Sequence, residues 1–172
     1  MRILVTGGVR SGKSTHAERL LSKTDPVRYI APGPIVDDAD WAARIKAHQE
    51  RRPPAWITCE TADVPSVLAD PGPVLLDCLG TWLTTTLDEL DAWNTPDDAW
   101  TPRLRDAIDA LVAAWSTTDE QMVAVTNEVG WGLVSEHRSG RVFTDWLGRL
   151  NQAIAAASDE VHLVVAGRVI VL

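Results

Sequence analysis

Three scarcities bound what this chain of 172 residues can be. The first is cysteine: Cys59 and Cys78 are the only two, too few and too far apart for a metal knuckle or a disulfide framework. They read as buried or half-buried thiols in a reducing cytoplasm. The second is positive charge. A formal net charge of −8 argues against a nucleic-acid binder, which needs a basic face for phosphate backbones, but leaves room for a small anion in a local positive pocket. The third is long apolar runs. None approaches the ~20 residues needed to span a bilayer, so no membrane span is expected. The opening MRILVTGG places a cation before apolar residues, but that run stops after Val5, short of a secretory segment. A cytoplasmic protein is expected.

What is present is ordinary for a globular domain: 45% hydrophobic and 23% charged residues. The length suits one domain over residues 1–172, with no internal repeat, low-complexity tract or linker to divide it. Short apolar runs predict strands at Arg2–Thr6, Val27–Ala31, Trp56–Cys59, Val74–Cys78, Met122–Thr126, Val161–Ala166 and Val169–Val171. Helical patterns lie between them at Gly12–Leu21, Asp38–Arg51, Val64–Ala69, Thr81–Ala92, Pro102–Trp115 and Arg138–Ala157. The stretch DAWNTPDDAWTP reads as a surface loop. Such alternation predicts a three-layer α/β fold with a mostly parallel central sheet. In the last helix Val142, Phe143, Trp146, Leu147, Leu150 and Ile154 form an apolar stripe. Arg141, Asp145 and Arg149 line another face, as a solvated ion-pair ladder or as a subunit or ligand contact.

The strongest motif is GGVRSGKS, which matches G-x-x-x-x-G-K-[ST] directly after a strand and before a helix, the context a phosphate loop requires. Backbone N–H groups of Gly7, Gly8, Val9, Arg10, Ser11 and Gly12 would turn toward phosphate oxygens. Lys13 would reach the β- and γ-phosphates, and the Ser14 hydroxyl would ligate Mg²⁺. A merely structural turn would not need Lys13 and Ser14. Asp77 closes the apolar run Val74–Leu76, where a P-loop enzyme places its metal-side carboxylate; a turn or helix-capping role is the alternative. No N-K-x-D element is present: the nearest string, TNEVG, has glutamate in place of the lysine. An enzyme that consumes a nucleotide is therefore preferred to a regulatory switch.

The segment RIKAHQERRPPAW sets His48 among cations. If helical, it brings Arg44, His48 and Arg51 or Arg52 onto one face. Neighbouring positive charge favours the neutral imidazole, and the arginines would attract a triphosphate. A neutral imidazole beside an α-phosphate is a competent nucleophile that releases pyrophosphate. A packed histidine on the Trp41–Ile45–His48 stripe is the competing reading.

In ILVTGGVRSGKSTHAE, DDADWAARIKAHQERRPPAW, LLDCLGTWLT, VTNEVGWGLV and RVFTDWLGRLNQAIAAASDEVHLVVAG the chain resembles the bifunctional adenosylcobinamide kinase/adenosylcobinamide-phosphate guanylyltransferase family of cobalamin biosynthesis. The R-x-x-x-H-x-x-x-R-x-x-x-W string and NEVG.G are its specific elements. The resemblance implies a RecA-like P-loop NTPase fold. It implies phosphorylation of adenosylcobinamide by ATP or GTP, then transfer of GMP from GTP through His48 to adenosylcobinamide phosphate, giving adenosylcobinamide-GDP. Lys13, His48 and Asp77 become the expected catalytic residues, with Mg²⁺ at Ser14 and Asp77. Nucleotide contacts carry over to Gly7–Ser14, to Pro32, Gly33 and Pro34, to Gln49, Glu50, Arg51 and Arg52, and to Glu60. A homo-oligomer, expected to be a trimer, is implied as well. The chain reads APGP where relatives carry ATA or ATS, and DDADW where they carry DDEM. A plain P-loop kinase with a structural His48, or a non-catalytic nucleotide-binding regulator, are the rival readings.

Overall fold

The computed structural model describes residues 1–33 and 53–172; the helix expected at Asp38–Arg51 lies outside them. The described elements are β1 (Arg2–Thr6), α1 (Lys13–Leu20), β2 (Arg28–Ala31), β3 (Ile57–Glu60), α2 (Val64–Ala69), β4 (Val74–Asp77), α3 (Leu79–Glu89), α4 (Asp97–Thr117), β5 (Met122–Val125), α5 (Arg138–Ala156), β6 (Glu160–Val165) and β7 (Arg168–Val171). Among the described residues the strands form one seven-stranded sheet in the order β3-β2-β4-β5-β1-β6-β7. Neighbours are parallel except β6 and β7, an antiparallel hairpin at one edge. The expected α/β class and mostly parallel sheet are both found.

The unbroken apolar character of the inner strands follows from burial on both faces, since successive side chains point to opposite sides. In β1, Ile3 and Val5 pack with Ala17 of α1 and Leu21 just past its end, together with Val27, Leu75, Val123 and Val164. Leu4 and Leu76 point the other way, into a core with Trp82, Leu83, Trp100, Leu111, Trp115, Leu147 and Ile154 from α3, α4 and α5. Thus α1 covers one face, and α2 to α5 cover the other.

Among the described residues the expected helices hold to within a few residues at their ends, and α4 departs furthest from its expected extent. Asp97–Thr101, read as loop, forms the first turns of α4, with Asp97 and Asp98 in its opening turn. Pro102 suggested a helix start because proline is favoured at the first helical position. Here it lies inside the helix and forgoes one backbone bond. Trp100, 1% exposed, anchors the turn before it in the core, and the acidic pair complements the helix dipole.

Candidate active site

β1 delivers the chain to Gly7 at the carboxyl edge of the sheet. Gly7 takes φ +150°, and a Cβ there would lie 2.3 Å from the Val164 carbonyl oxygen of β6, so only glycine fits. Arg10 and Gly12 also take left-handed φ values of 58° and 100°. The loop is pinned from three sides. Ser11 N–H donates to the Gly8 carbonyl (3.3 Å), Gly167 N–H from the β6–β7 turn donates to the Ser11 carbonyl (2.8 Å), and Glu128 N–H donates to the Gly7 carbonyl (3.1 Å). α1 starts at Lys13 with no side-chain cap and no acidic residue in its first turn. Its leading N–H groups are left for an anion, the role a helix N-terminus plays beneath a phosphate.

Lys13 is 7% exposed, and its Nζ donates to the Gly8 carbonyl at 2.7 Å. This curls the ammonium back onto the backbone of the P-loop. The Ser11 hydroxyl is buried with no hydrogen-bond partner among the described residues. An orphaned donor inside such a loop suits a phosphate oxygen. Ser14, in the first turn of α1, is half-buried.

Asp77 ends β4, two strands from β1. In register, Val5 aligns with Val125 of β5, and Val125 with Asp77. The carboxylate therefore stands level with the root of the P-loop, about 10 Å across the sheet at the usual strand spacing. Tyr29 of β2 donates its hydroxyl to Asp77 Oδ2 at 3.0 Å, which fixes the carboxylate. Among the described residues no cluster of three or more His, Cys, Asp or Glu could by itself hold a metal. The oxygens of Ser14 and Asp77 are the kind of donor Mg²⁺ takes, an ion commonly held by one or two protein carboxylates together with phosphates and water. Next to Asp77, desolvation among its core neighbours, and then the Asp77 charge, push the Cys78 thiol up. It stays protonated, as an inert thiol does. Both cysteines are free.

The other expected contacts fall out differently. Pro32 is buried after β2, and its carbonyl accepts from Thr85 of α3 at 3.0 Å; Gly33 follows it at the same edge. Glu60 is exposed at the end of β3. With β3 four strand positions from β1, Glu60 stands about 19 Å from the P-loop strand and cannot share a phosphate with Lys13. Pro34, Gln49, Glu50, Arg51, Arg52 and His48 lie outside the described residues. Tyr29 and Gly167 carried no signal in the sequence: one reads as a core tyrosine, the other as a turn glycine.

Behind the loop, His16 Nε2 meets His162 Nδ1 at 2.9 Å, and His162 Nε2 meets Glu160 Oε2 at 2.8 Å. This chain fastens α1 to β6. Partial burial, then His162 and Arg19, hold the His16 imidazole below its usual value.

After β5 the chain behaves otherwise. Trp131, Leu133 and Val134 are 74%, 101% and 81% exposed, and this segment meets α5 in a groove of about 400 Å³ that Arg141, Asp145, Arg149 and Gln152 help to line. Of the two readings of the Arg141–Asp145–Arg149 face, the ion-pair ladder does not form among the described residues. Arg141 donates to the carbonyls of Ser135 and Glu136 (2.9 and 2.7 Å), and Arg149 lies over the Trp146 ring at 5.1 Å. Carbonyls and a ring face compete successfully because an exposed helical ion pair gains so little.

A family model described as cobinamide kinase / cobinamide phosphate guanyltransferase matches residues 3–172. The chain belongs to this family. It is 45% identical to the bifunctional adenosylcobalamin biosynthesis protein CobU of Salmonella typhimurium over 97% of both chains. The CobU of Escherichia coli matches at the same identity and coverage. CobP of Pseudomonas aeruginosa, a bifunctional protein of the same description, is 36% identical over 97% of this chain and 94% of its own. Membership makes the chain a bifunctional kinase and guanyltransferase of cobalamin biosynthesis, and the nucleotide-using chemistry of that family suits the P-loop. Among solved structures, an ATPase of a bacterial type III secretion system superposes with TM-score 0.56 at 13% identity, over 94% of this chain and 50% of that one. A protein from Pyrococcus horikoshii OT3 superposes with TM-score 0.51 at 7% identity, over 99% of this chain and 84% of that one. The chain spans half the length of the secretion ATPase. These likenesses bear on the fold alone, which is RecA-like. Among the described residues no helix is long and apolar enough to cross a membrane.

Proposed function

We propose that the whole chain acts as one P-loop catalytic unit. It would phosphorylate adenosylcobinamide with ATP or GTP, then transfer GMP from GTP to adenosylcobinamide phosphate by way of His48. The observation that carries this reading is the pinned loop with Lys13 curled over it and Asp77 level with its root. In the kinase step the substrate hydroxyl attacks the γ-phosphorus, and the bond to the bridging oxygen breaks toward the nucleoside diphosphate. In the second step an imidazole nitrogen of His48 attacks the α-phosphorus and pyrophosphate leaves; the substrate's phosphate oxygen then displaces His48 and takes up GMP. Lys13 and the α1 N-terminus hold the triphosphate for both steps. Mg²⁺, held by Ser14 and Asp77, would supply charge neutralisation on the phosphates. Arg44, Arg51 and Arg52 around His48 would draw in the triphosphate and keep the imidazole neutral. Gln49, Glu50, Pro32, Gly33, Pro34 and Glu60 complete the proposed nucleotide contacts, with Glu60 restricted to the end remote from the phosphates. A cytoplasmic homotrimer is the proposed working form.

The test is incubation with GTP labelled at the α- or the γ-phosphate before any corrinoid is added. Wild type should retain only the α-label, in an acid-labile, alkali-stable adduct. His48→Ala should lose it while still phosphorylating adenosylcobinamide. An adduct that persists in His48→Ala would remove His48 from the reaction.

A further inference from the structure

We infer that Glu128 is the general base of the kinase step, the group that takes the proton from the attacking hydroxyl. The inference rests on the kinase activity of this family and on residues so far given no chemical role. β5 lies between the P-loop strand β1 and the Asp77 strand β4, so the residues leaving its carboxyl end emerge between the phosphate loop and the metal-side carboxylate. Glu128 is the third residue beyond that end. Its position is fixed twice: its own N–H donates to the Gly7 carbonyl at 3.1 Å, and the preceding carbonyl, of Asn127, accepts from Asn151 Nδ2 at 3.1 Å. Asn151 is held in turn by the Thr126 hydroxyl at 2.6 Å. A buried amide on α5 thus sets the exit of β5 against the P-loop.

The Glu128 side chain is half-buried, and its carboxylate makes no hydrogen bond or ion pair among the described residues. A Cβ on Gly130 would lie 3.7 Å from its Oε1, so the carboxylate rests against the bare backbone of that glycine. The described alternatives at this edge are engaged or remote: Asp77 accepts from Tyr29, and Glu60 is four strands from β1. The open groove and the exposed Trp131, Leu133 and Val134 begin just past Glu128, where a bulky acceptor has room to approach. As the hydroxyl oxygen bonds to the γ-phosphorus, the pair of the breaking Pγ–O bond goes to the nucleoside diphosphate. The hydroxyl proton goes to the Glu128 carboxylate, and from there to water. Because phosphoryl transfer passes through a loose transition state, this proton leaves late, and the effect belongs at the lower end of the usual range, about 10²-fold.

The experiment compares wild type with Glu128→Gln and Glu128→Ala, following phosphorylation of the corrinoid, nucleotide affinity by calorimetry, and enzyme labelling by α-labelled GTP. Both variants should lose kcat for phosphorylation about 10²-fold while nucleotide affinity stays within about twofold. Adduct formation should continue at the wild-type rate, because imidazole attack needs no hydroxyl proton removed. Added formate should restore part of kcat to Glu128→Ala and none to Glu128→Gln. A full kinase rate in Glu128→Gln, or loss of nucleotide affinity in step with kcat and no formate rescue, would overturn the inference. Failure of the wild type itself to phosphorylate the corrinoid would overturn the kinase reading, and this inference with it.

Discussion

The segments that follow β1 and β5 leave neighbouring strands at the same edge of the sheet and share a hydrogen bond, Glu128 N–H to the Gly7 carbonyl, yet they are built in opposite ways. The first is pinned by backbone bonds from two other segments, holds a buried lysine, and has a glycine that no other residue could replace. The second exposes a tryptophan, a leucine and a valine and borders an open groove. A triphosphate is recognised by many backbone N–H groups at fixed spacing, which demands a rigid cradle. A large acceptor needs surface and an approach path. On the proposed reading one edge of one sheet supplies both, and the division falls at Glu128.

The contrast is sharpest at the glycines. Gly7→Ala drives a methyl into the Val164 carbonyl, at 2.3 Å, and should cost about 2–4 kcal/mol of stability with loss of nucleotide binding. Gly132→Ala meets nothing within 4 Å and should stay within about 0.5 kcal/mol. Thermal melts of the two variants check this; equal losses would mean that the two segments are not built differently.

Asp77→Asn ranks next. It keeps the shape that Tyr29 contacts but removes the charge, and should lower both activities about 10²-fold with a melting temperature near wild type. Steady-state assays across a Mg²⁺ titration check it, and unchanged Mg²⁺ dependence would leave Asp77 a turn residue.

The division was only half legible in sequence. Lys13, Ser14 and the pinned glycines declare themselves because a phosphate loop is a local motif, fixed by spacing. Asp77 is legible as a strand end, though its alignment with Val5 needs the sheet order. Tyr29, Gly167 and Asn151 act across 48, 156 and 24 residues of chain, on Asp77, Ser11 and Asn127, and no local pattern reports such pairings. The start of α4 was hidden because Pro102 mimics a helix beginning, while the burial of Trp100 that extends the helix is a tertiary effect.

A smaller effect is expected from the histidine pair behind the loop. Burial, His162 and Arg19 hold His16 below its usual value in the fold, so below about pH 6.5 the unfolded chain takes up protons more readily than the folded one. Stability should therefore fall as pH drops through that range and level off below the depressed folded value. His16→Asn should flatten this part of the melting-temperature profile; an unchanged profile would show that the pair carries no linkage. Smallest of all, Trp131→Ser should leave stability within about 0.5 kcal/mol, since the residue is 74% exposed. A large loss on melting would place Trp131 in a packed surface instead.

The central claim is that one rigid cradle serves both reactions, and Lys13→Ala addresses it most directly. Its Nζ sits over the loop at 2.7 Å from the Gly8 carbonyl, where either step needs the triphosphate held. One preparation, given α-labelled and γ-labelled GTP in parallel with adenosylcobinamide present, should transfer neither label. Phosphorylation or adduct formation at the wild-type rate in that variant would contradict a shared site.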